Sequence, residues 1–358
     1  MSQPRFLIIA EGAFGPETSK TANSAIRYLP DRIVGVLDSR ARGRTCQDVL
    51  GFGGAIPVVP TMDEGLALRP SAVLIGIAPA GGRLPTEWRG WILAALDRGL
   101  DIWSGLHTYL GDDQEFTARA RARGAKLLDL RRPPTVLPVS DGKARDVNAL
   151  VVLSVGSDCN VGKMTAALEI RAFLEKRGVR TAFVAPGQTG IFIADRGVAV
   201  DAVPADFVAG VVEELVLEAA RDADIVLVEG QGALHHPAYS GVTLSLLHGA
   251  CPDSLVLCHQ VGRTHLRISD AMPAPRIRSI SELVRDYERA SGWLNPARVL
   301  AVALNTMHLE ESEARRALEH EVNLTGLTVT DPVRFGAEPL AVALLRRHEE
   351  RKRRAASA

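Results

Sequence analysis

Residues 154–170 have the sequence SVGSDCNVGKMTAALEI, and this stretch decides the fold of the C-terminal half of the chain. The apolar run LVVLSV leads into it and is typical of a buried strand. The run GKMTAALEIRAFLEKRG leads out of it and has the pattern of an amphipathic helix that ends at Gly178. A glycine-containing turn between a strand and a helix is the context of a phosphate-binding loop, because the N–H groups at a helix start attract anions. We therefore predict a P-loop in which Lys163 reaches the phosphates.

The residue after the lysine departs from the usual P-loop. In loops that hydrolyse ATP or GTP, this residue offers a hydroxyl to magnesium. Here it is Met164, and a thioether sulfur is a poor ligand for so hard an ion. Thr165 would replace the hydroxyl only if the helix start were rotated. We predict that the loop holds phosphates without organising metal-assisted transfer, and we predict no metal site. The predicted phosphate loop consists of Gly156, Ser157, Asp158, Cys159, Asn160, Val161, Gly162, Lys163, Met164 and Thr165.

A second motif, DIVLVEGQGALHHP, places polar residues at the end of another apolar strand. Glu229 ends this strand in the way that acidic residues end Walker-B-like strands, which face a phosphate loop. Gln231, His235 and His236 follow in a glycine-flanked loop. Ligands of parallel α/β sheets bind at the carboxyl ends of the strands, so we expect these side chains to lie in the functional site. The alternative is a surface loop with incidental histidines.

Other predicted strands also end in polar or charged residues. Gln188 and Thr189 follow the strand TAFVAP after one glycine, Arg263 follows SLVLCH, and Arg334 lies in the late loop DPVRFG. An arginine at a sheet edge can hold a carboxylate with two hydrogen bonds, although a surface salt bridge is the alternative for each. We predict that Gln188, Thr189, Gln231, Arg263 and Arg334 bind substrate.

The N-terminal third also alternates between strands and helices. Runs such as RFLIIA, RIVGVLD and SAVLIGIA alternate with helix patterns such as PTEWRGWILAALDRG, which implies a parallel sheet. The loop EGAFGPETSKTA after the first strand lacks the G-x-G-x-x-G spacing of dinucleotide-binding folds. Asp38, at the end of the second strand, is placed either to meet a ribose hydroxyl or to cap a turn.

The two patterns predict an α/β protein of two parallel-sheet, three-layer domains. We assign a Rossmann-like N-terminal domain to residues 1–131 and a P-loop NTPase-like C-terminal domain to residues 149–358. The proline-rich residues 132–148 are the predicted linker. A chain of 358 residues is long for a single hydrophobic core, which also favours two domains.

Composition excludes several classes of function. The 42 basic and 42 acidic residues cancel, so no global field attracts nucleic acid or an anionic membrane. No apolar run approaches the roughly 20 residues that span a bilayer, and the chain start lacks a secretory pattern. We predict a cytoplasmic protein whose partners are small-molecule substrates. We also expect a homo-oligomer, since two α/β domains have exposed edges.

Several motifs together resemble one protein family. GSDCNVGKMT, PGQTGIFIADRGVAVDAVPADFVAG, EGQGALHHPAYSGVTLSLLHG, PDSLVLCHQVGR and DPVRFG are similar to the bacterial family that contains D-glutamate N-acetyltransferase. The resemblance covers most of residues 150–336, and over residues 1–131 it rests on architecture. It implies that acetyl-CoA is the donor and that the amine of a D-amino acid such as D-glutamate is the acceptor. Coenzyme A carries phosphates, so a P-loop without a good magnesium ligand fits it.

Under this resemblance Glu229, His235 and His236 are the candidate catalytic residues. One of them takes a proton from the amine, and a histidine is favoured because its pKa lies near neutrality. Arg263 and Arg334 are the candidates for the acceptor's carboxylates. An acetyl group carried on Cys159 is a covalent variant of this hypothesis.

The sequence leaves two alternatives open. GSDCNVGK with VEGQG is also similar to P-loop enzymes of the dethiobiotin synthetase type. That similarity implies an ATP- and magnesium-dependent ligase or kinase that acts on a small carboxylate or amine. A nucleotide-sensing switch protein without catalysis is the third hypothesis.

Overall fold

The computed structural model describes residues 3–77, 79, 82–194, 196–268 and 274–357. The chain divides into two compact units. The first consists of Met1–Pro133 and Ile191–Ala202, and the second consists of Pro134–Gly190 and Val203–Ala358. Each unit contains one parallel sheet of six strands.

The sheet of the first unit has the strand order of a Rossmann fold. Its strands are β1 (Phe6–Ile9), β2 (Ile33–Leu37), β3 (Val58–Val59), β4 (Ala72–Ile75), β5 (Asp101–Ser104) and β6 (Leu127–Asp129). Its helices are α1 (Lys20–Tyr28), α2 (Cys46–Leu50), α3 (Met62–Ala67), α4 (Arg89–Asp97) and α5 (Gln114–Arg123). The strand order is β3-β2-β1-β4-β5-β6. The chain moves outward from β1 first in one direction and then in the other, so right-handed crossovers place helices on both faces.

The end of β2 has a structural role. The carboxylate of Asp38 is buried and accepts hydrogen bonds from the backbone N–H groups of Phe14 at 2.9 Å and Arg40 at 2.8 Å. Both of its oxygens therefore accept hydrogen bonds from the backbone, one from the loop after β1 and one from the turn after β2. Of the two roles that the sequence left open for Asp38, the structure supports the turn cap.

The segment Ile191–Ala202 belongs to the first unit, although it follows a strand of the second unit in the sequence. Phe192 is fully buried in the hydrophobic core of the first unit. Its ring packs edge-on against Phe6, with 4.9 Å between ring centroids, and against Trp103 at 5.6 Å. Asp201 of the same segment forms an ion pair with Arg131. The core of the first unit is thus built from two separate parts of the chain.

The sheet of the second unit has its first strand in the interior. Its strands are β7 (Leu150–Gly156), β8 (Thr181–Val184), β9 (Ile225–Val228), β10 (Ser254–Gln260), β11 (Arg298–Asn305) and β12 (Thr328–Thr330). The order is β12-β11-β10-β7-β9-β8. The chain builds one side of β7 before it crosses to β10 on the other side. The switch point of the sheet therefore lies between β7 and β10, where open α/β sheets bind their ligands.

The helices of this half of the chain follow the strands in the expected alternation. They are α6 (Lys163–Lys176), α7 (Gln188–Ala194), α8 (Ala205–Ala219), α9 (Ser240–Ala250), α10 (Ile280–Ser291), α11 (Glu311–Thr325) and α12 (Glu338–Ser357). Helix α7 begins with residues of the second unit and continues with residues of the first. Within the described ranges of the chain, no helix combines the length and the apolar character needed to cross a membrane.

The two parallel sheets confirm the predicted α/β fold. The strands that the sequence did not predict are β3 and β12, which lie at sheet edges and contain two and three residues. So few residues cannot display a hydrophobic period, and such strands exist only because a neighbouring strand pairs with them.

Candidate functional site

The predicted phosphate loop lies between β7 and α6, with the geometry of an anion site. Gly162 is the N-cap of α6 and has φ +108°, a conformation that side-chain-bearing residues rarely adopt. No side chain caps this helix start, and its first turn carries no acidic residue. Lys163 is buried, and its Nζ donates a hydrogen bond to the backbone oxygen of Asp158 at 2.7 Å. The loop therefore combines N–H groups, a helix dipole and an ammonium group, all of which attract phosphate.

Asp158 turns its carboxylate toward neighbouring loops. The residue has 0% exposure, and its Oδ2 lies 3.2 Å from Nη1 of Arg263. The backbone N–H of Arg267 donates to the same oxygen at 2.8 Å, and that of Cys159 donates to Oδ1 at 2.7 Å. This one carboxylate thus joins the phosphate loop to the segment that follows β10.

Arg263 reaches the phosphate loop from the turn after β10. Besides Asp158, its Nη1 donates to the backbone oxygen of Cys159 at 2.7 Å, and its Nη2 donates to Oε1 of Gln260. The sequence predicts this residue as a ligand of a substrate carboxylate. In the structure it already holds a carboxylate of the protein itself.

The GQG turn consists of residues 230–232, and its first residue packs closely against β7. The backbone N–H of Gly230 donates to Oγ of Ser154 at 3.0 Å. A Cβ at Gly230 would stand 1.8 Å from the backbone oxygen of Ser154 and 3.1 Å from Cδ of Lys163. Only glycine permits this approach, which brings the loop after β9 beside the phosphate loop.

Four predicted site residues meet on the β8 side of the loop. Glu229 is buried, and its Oε1 accepts a hydrogen bond from Nε2 of Gln231 at 3.3 Å. A Cβ at Gly190 would lie 2.5 Å from Oε2 of Glu229, and one at Gly187 would lie 2.7 Å from Nε2 of Gln231. Gln188 and Thr189 lie between these two glycines, so α7 begins against the side chains of Glu229 and Gln231.

The two adjacent histidines have different environments. His236 is 2% exposed; its Nδ1 accepts a hydrogen bond from the N–H of Ala238 at 3.2 Å, so the proton lies on Nε2. That Nε2 donates to the backbone oxygen of Arg267 at 3.2 Å. Both ring nitrogens of His236 therefore form hydrogen bonds with backbone groups.

The side chain of His235 is 28% exposed, and its Nε2 lies 3.0 Å from Oδ2 of Asp286. Nη1 of Arg278 lies 2.9 Å from the same oxygen. Burial lowers the pKa of His235, and the charge of Arg278 lowers it further, which outweighs the opposite effect of Asp286. Among the residues that the structure describes, no group forms a hydrogen bond with Nδ1 of His235. This imidazole is therefore neutral at neutral pH and has one nitrogen available to accept a proton.

Sequence reasoning missed the contribution of α10. The phenol of Tyr287 is fully buried, donates to the backbone oxygen of Gly156 at 2.7 Å and accepts from the N–H of Leu234 at 3.0 Å. It links the end of β7 to the loop that carries His235. The preceding residue, Asp286, supplies the partner of that histidine. The only sequence signal was a helix pattern with a buried aromatic residue, which usually indicates packing alone.

A serine–histidine contact lies at the switch point. Oγ of Ser157 lies 2.8 Å from Nδ1 of His259, at the end of β10. Burial, reinforced by the charge of Arg263, lowers the pKa of His259 to about 4. The ring is neutral at physiological pH, so it adds a dipole but no charge beside the phosphate loop.

The remaining predicted residues lie in other environments. Met164 is buried, and Thr165 is half-buried on the first turn of α6. Arg334 follows β12, where its Nη2 donates to the backbone oxygen of Thr306 at 3.2 Å. β12 is three strand spacings, about 14 Å, from β7, so Arg334 lies toward the edge of the sheet and away from the phosphate loop.

Ligand atoms of Asp158, Cys159 and His236 lie within 4.8 Å of one another, a spacing compatible with a metal ion. Their hydrogen bonds do not fit one. The carboxylate of Asp158 pairs with the cation of Arg263, and Nε2 of His236 carries the proton that it donates to Arg267. A metal would have to displace both interactions.

Comparisons with known proteins cover both halves of the chain. A family model described as the P-loop domain of DUF1611, a domain of unknown function, matches residues 138–341. A second model, described as the Rossmann-like N-terminal domain of DUF1611, matches residues 39–133. A crystal structure of a DUF1611 family protein from Anabaena variabilis superposes with a TM-score of 0.90 at 36% identity, covering 96% of this chain and 100% of that one.

Two curated relatives carry the name D-glutamate N-acetyltransferase. The protein from Tritonibacter scottomollicae is 39% identical over 284 residues, which is 79% of this chain and 84% of the relative. The protein from Pseudoalteromonas sp. is 35% identical over 282 residues, with 78% and 83% covered. These matches confirm the family resemblance that the sequence motifs predicted.

Proposed function

The chain belongs to the DUF1611 family, and from this premise we propose that it transfers the acetyl group of acetyl-CoA to the amine of D-glutamate. The main support for this proposal is the similarity to a curated relative. The chain is 39% identical to a protein named D-glutamate N-acetyltransferase over 84% of that protein's length. The matched length of 284 residues exceeds the length of either compact unit of this chain, so the match extends into both units.

The phosphate loop is the proposed donor site. Coenzyme A carries a pyrophosphate and a ribose phosphate, which suit the N–H groups at the start of α6 and the ammonium group of Lys163. Buried Met164 occupies the position from which P-loop enzymes offer a hydroxyl to magnesium. This supports a loop that binds phosphates without transferring them.

The proposed chemistry is direct attack of the amine on the thioester. A bond forms between the amine nitrogen and the acetyl carbonyl carbon, the C–S bond breaks, and coenzyme A leaves as a thiolate that takes up the second proton lost by the nitrogen as the amide forms. The acceptor arrives as an ammonium ion, so a base must first remove a proton from its nitrogen. Among the three candidate bases we assign this role to His235, through its Nδ1. Both ring nitrogens of His236 form hydrogen bonds with backbone groups, and the buried carboxylate of Glu229 accepts a hydrogen bond from Gln231.

The acceptor has two carboxylates that require cationic or amide partners. We assign Gln231, Gln188 and Thr189 as candidates for them, because these residues lie together at the start of α7. Arg334 follows β12, which is the opposite edge strand of the sheet from β8, so one glutamate molecule does not reach both Arg334 and the start of α7. We therefore do not assign Arg334 to the acceptor.

The test measures the thiol released from acetyl-CoA in the presence of D- and L-amino acids. We expect release with D-glutamate and none above background with L-glutamate. The transfer should require neither ATP nor magnesium, because neither takes part in it. Mass spectrometry should find the acetyl group on the amine nitrogen.

Two outcomes would contradict the proposal. Absence of thiol release with every acceptor would exclude acetyl transfer. Release of ADP from ATP that depends on an acceptor and on magnesium would identify a ligase or kinase of the dethiobiotin synthetase type instead.

A further inference from the structure

A carboxylate in a phosphate-binding loop requires an explanation. Asp158 is the third residue of the loop, and a negative charge there repels phosphate unless it is neutralised. The residue is fully buried, and a buried charge without a partner is strongly destabilising. The way in which the protein satisfies this carboxylate therefore bears directly on donor binding.

Asp158 connects the two cationic side chains of the site. Its backbone oxygen accepts from Nζ of Lys163 at 2.7 Å, on the side of the loop interior. Its carboxylate faces the opposite partner, Arg263, at 3.2 Å. Arg263 also donates to the backbone oxygen of Cys159, the next residue of the loop. Two successive residues of the phosphate loop are thus fixed by one guanidinium.

We propose that the Asp158–Arg263 ion pair holds the loop in its phosphate-binding conformation, and that Arg263 is a positioning residue for the donor and not a ligand of the acceptor. The inference rests on the proposed function for the identity of the donor. The physical role that we propose for Arg263 is to cancel the charge of Asp158 and to orient the loop.

This role and the rival role predict opposite behaviour in a charge cycle. The cycle compares the wild type with Arg263→Gln, Asp158→Asn and the double variant. If Arg263 positions the loop, Arg263→Gln leaves a buried uncompensated carboxylate beside the phosphates. The double variant removes that carboxylate and recovers most of the phosphate affinity. If Arg263 instead holds the acceptor, neutralising Asp158 does not restore the binding of the acceptor.

The primary measurement is calorimetric titration with inorganic pyrophosphate, which probes the loop independently of acetyl transfer. We expect Arg263→Gln to weaken pyrophosphate binding at least about tenfold, as loss of one partner of a buried charge pair does. The double variant should bind within about threefold of the wild type. Arg267→Gln is the matched control, because only the backbone of Arg267 contacts Asp158 and its side chain is exposed. Its affinity should stay close to that of the wild type.

The kinetic measurement separates donor from acceptor. Arg263→Gln should raise the KM for acetyl-CoA and leave the KM for D-glutamate unchanged. Circular dichroism of each variant establishes that it is folded, and the double variant tests the idea even if Arg263→Gln unfolds. Failure of the double variant to recover pyrophosphate binding, or a raised KM for D-glutamate alone, would overturn the inference. Absence of thiol release by the wild type would refute the proposed function only, and the pyrophosphate cycle would still decide the role of Arg263.

Discussion

Among single residues, His235 combines partial exposure with a network of charges. Three charged groups influence its ring: Arg278 lowers its pKa, whereas Asp286 and Glu282 raise it. Burial is the largest effect and places the pKa below the ordinary imidazole value of 6.5. A base of this kind is neutral over the physiological range. Asp286, 3.0 Å from Nε2, keeps the proton on that nitrogen and leaves Nδ1 as the acceptor.

These opposing charges predict pH profiles that shift in opposite directions. The base works only when it is unprotonated, so activity falls as the pH drops through the pKa of His235. Asp286→Asn removes a charge that raises this pKa, and the acid limb of kcat should move to lower pH. Arg278→Gln removes a charge that lowers it, and the limb should move to higher pH. Asp286→Asn should also lower the plateau kcat at least about a hundredfold, because the ring loses its orientation. The measurement is kcat against pH at saturating substrates.

The substrate amine also titrates, but its contribution is common to all variants and cancels in the comparison. His235→Gln should abolish the acid limb together with most of the activity. A purely structural role for Asp286 would lower activity without moving the limb, and that result would exclude it as the residue that orients the base.

At the level of elements, the sequence predicted those parts of the site that depend on local pattern. A strand, a glycine turn and a lysine define the phosphate loop locally, so residues 156–165 could be found without a structure. Polar residues at the ends of β9 and β10 could be found because parallel strands end at one edge. The role of α10 could not be predicted. The helical period indicates that Tyr287 is buried, but its hydroxyl reaches Gly156, 131 residues away, only through tertiary packing. The sequence predicts Arg263 as a ligand of the substrate, whereas its partner in the structure is Asp158, 105 residues away in the chain.

The contact between the loop after β9 and β7 predicts a strong effect of a single methyl group. Gly230→Ala places a Cβ 1.8 Å from the backbone oxygen of Ser154, so the two elements must separate. Overpacking of this kind costs about 1–3 kcal/mol of the free energy of unfolding. We expect the melting temperature to fall by several degrees. Gly241→Ala on α9 is the matched control, since no atom lies within 4 Å of its added Cβ, and it should be neutral or slightly stabilising. Equal melting temperatures for the two variants would show that the close approach is not needed.

On the scale of the whole chain, the units that pack together do not coincide with continuous stretches of sequence. The predicted boundaries divide the chain once, whereas Ile191–Ala202 returns to the core of the first unit. The sequence gives no local signal for this return, because an apolar run such as IFI is buried equally well in either unit. The decisive feature is the ring of Phe192 between Phe6 and Trp103. Residues 3–133 therefore lack part of their core when they are separated from the rest of the chain.

This arrangement predicts that Phe192→Ala destabilises the first unit specifically. Removal of a fully buried phenylalanine costs about 3–5 kcal/mol of the free energy of unfolding. Three of the four tryptophans, Trp88, Trp91 and Trp103, belong to the first unit. In a Trp293→Phe background, tryptophan fluorescence therefore reports unfolding of that unit alone. We expect Phe192→Ala to shift the urea midpoint of this signal strongly to lower concentration. Leu324→Ala, at an exposed position of α11, should leave the midpoint within experimental error. An unchanged midpoint in Phe192→Ala would mean that the first unit folds without the segment Ile191–Ala202.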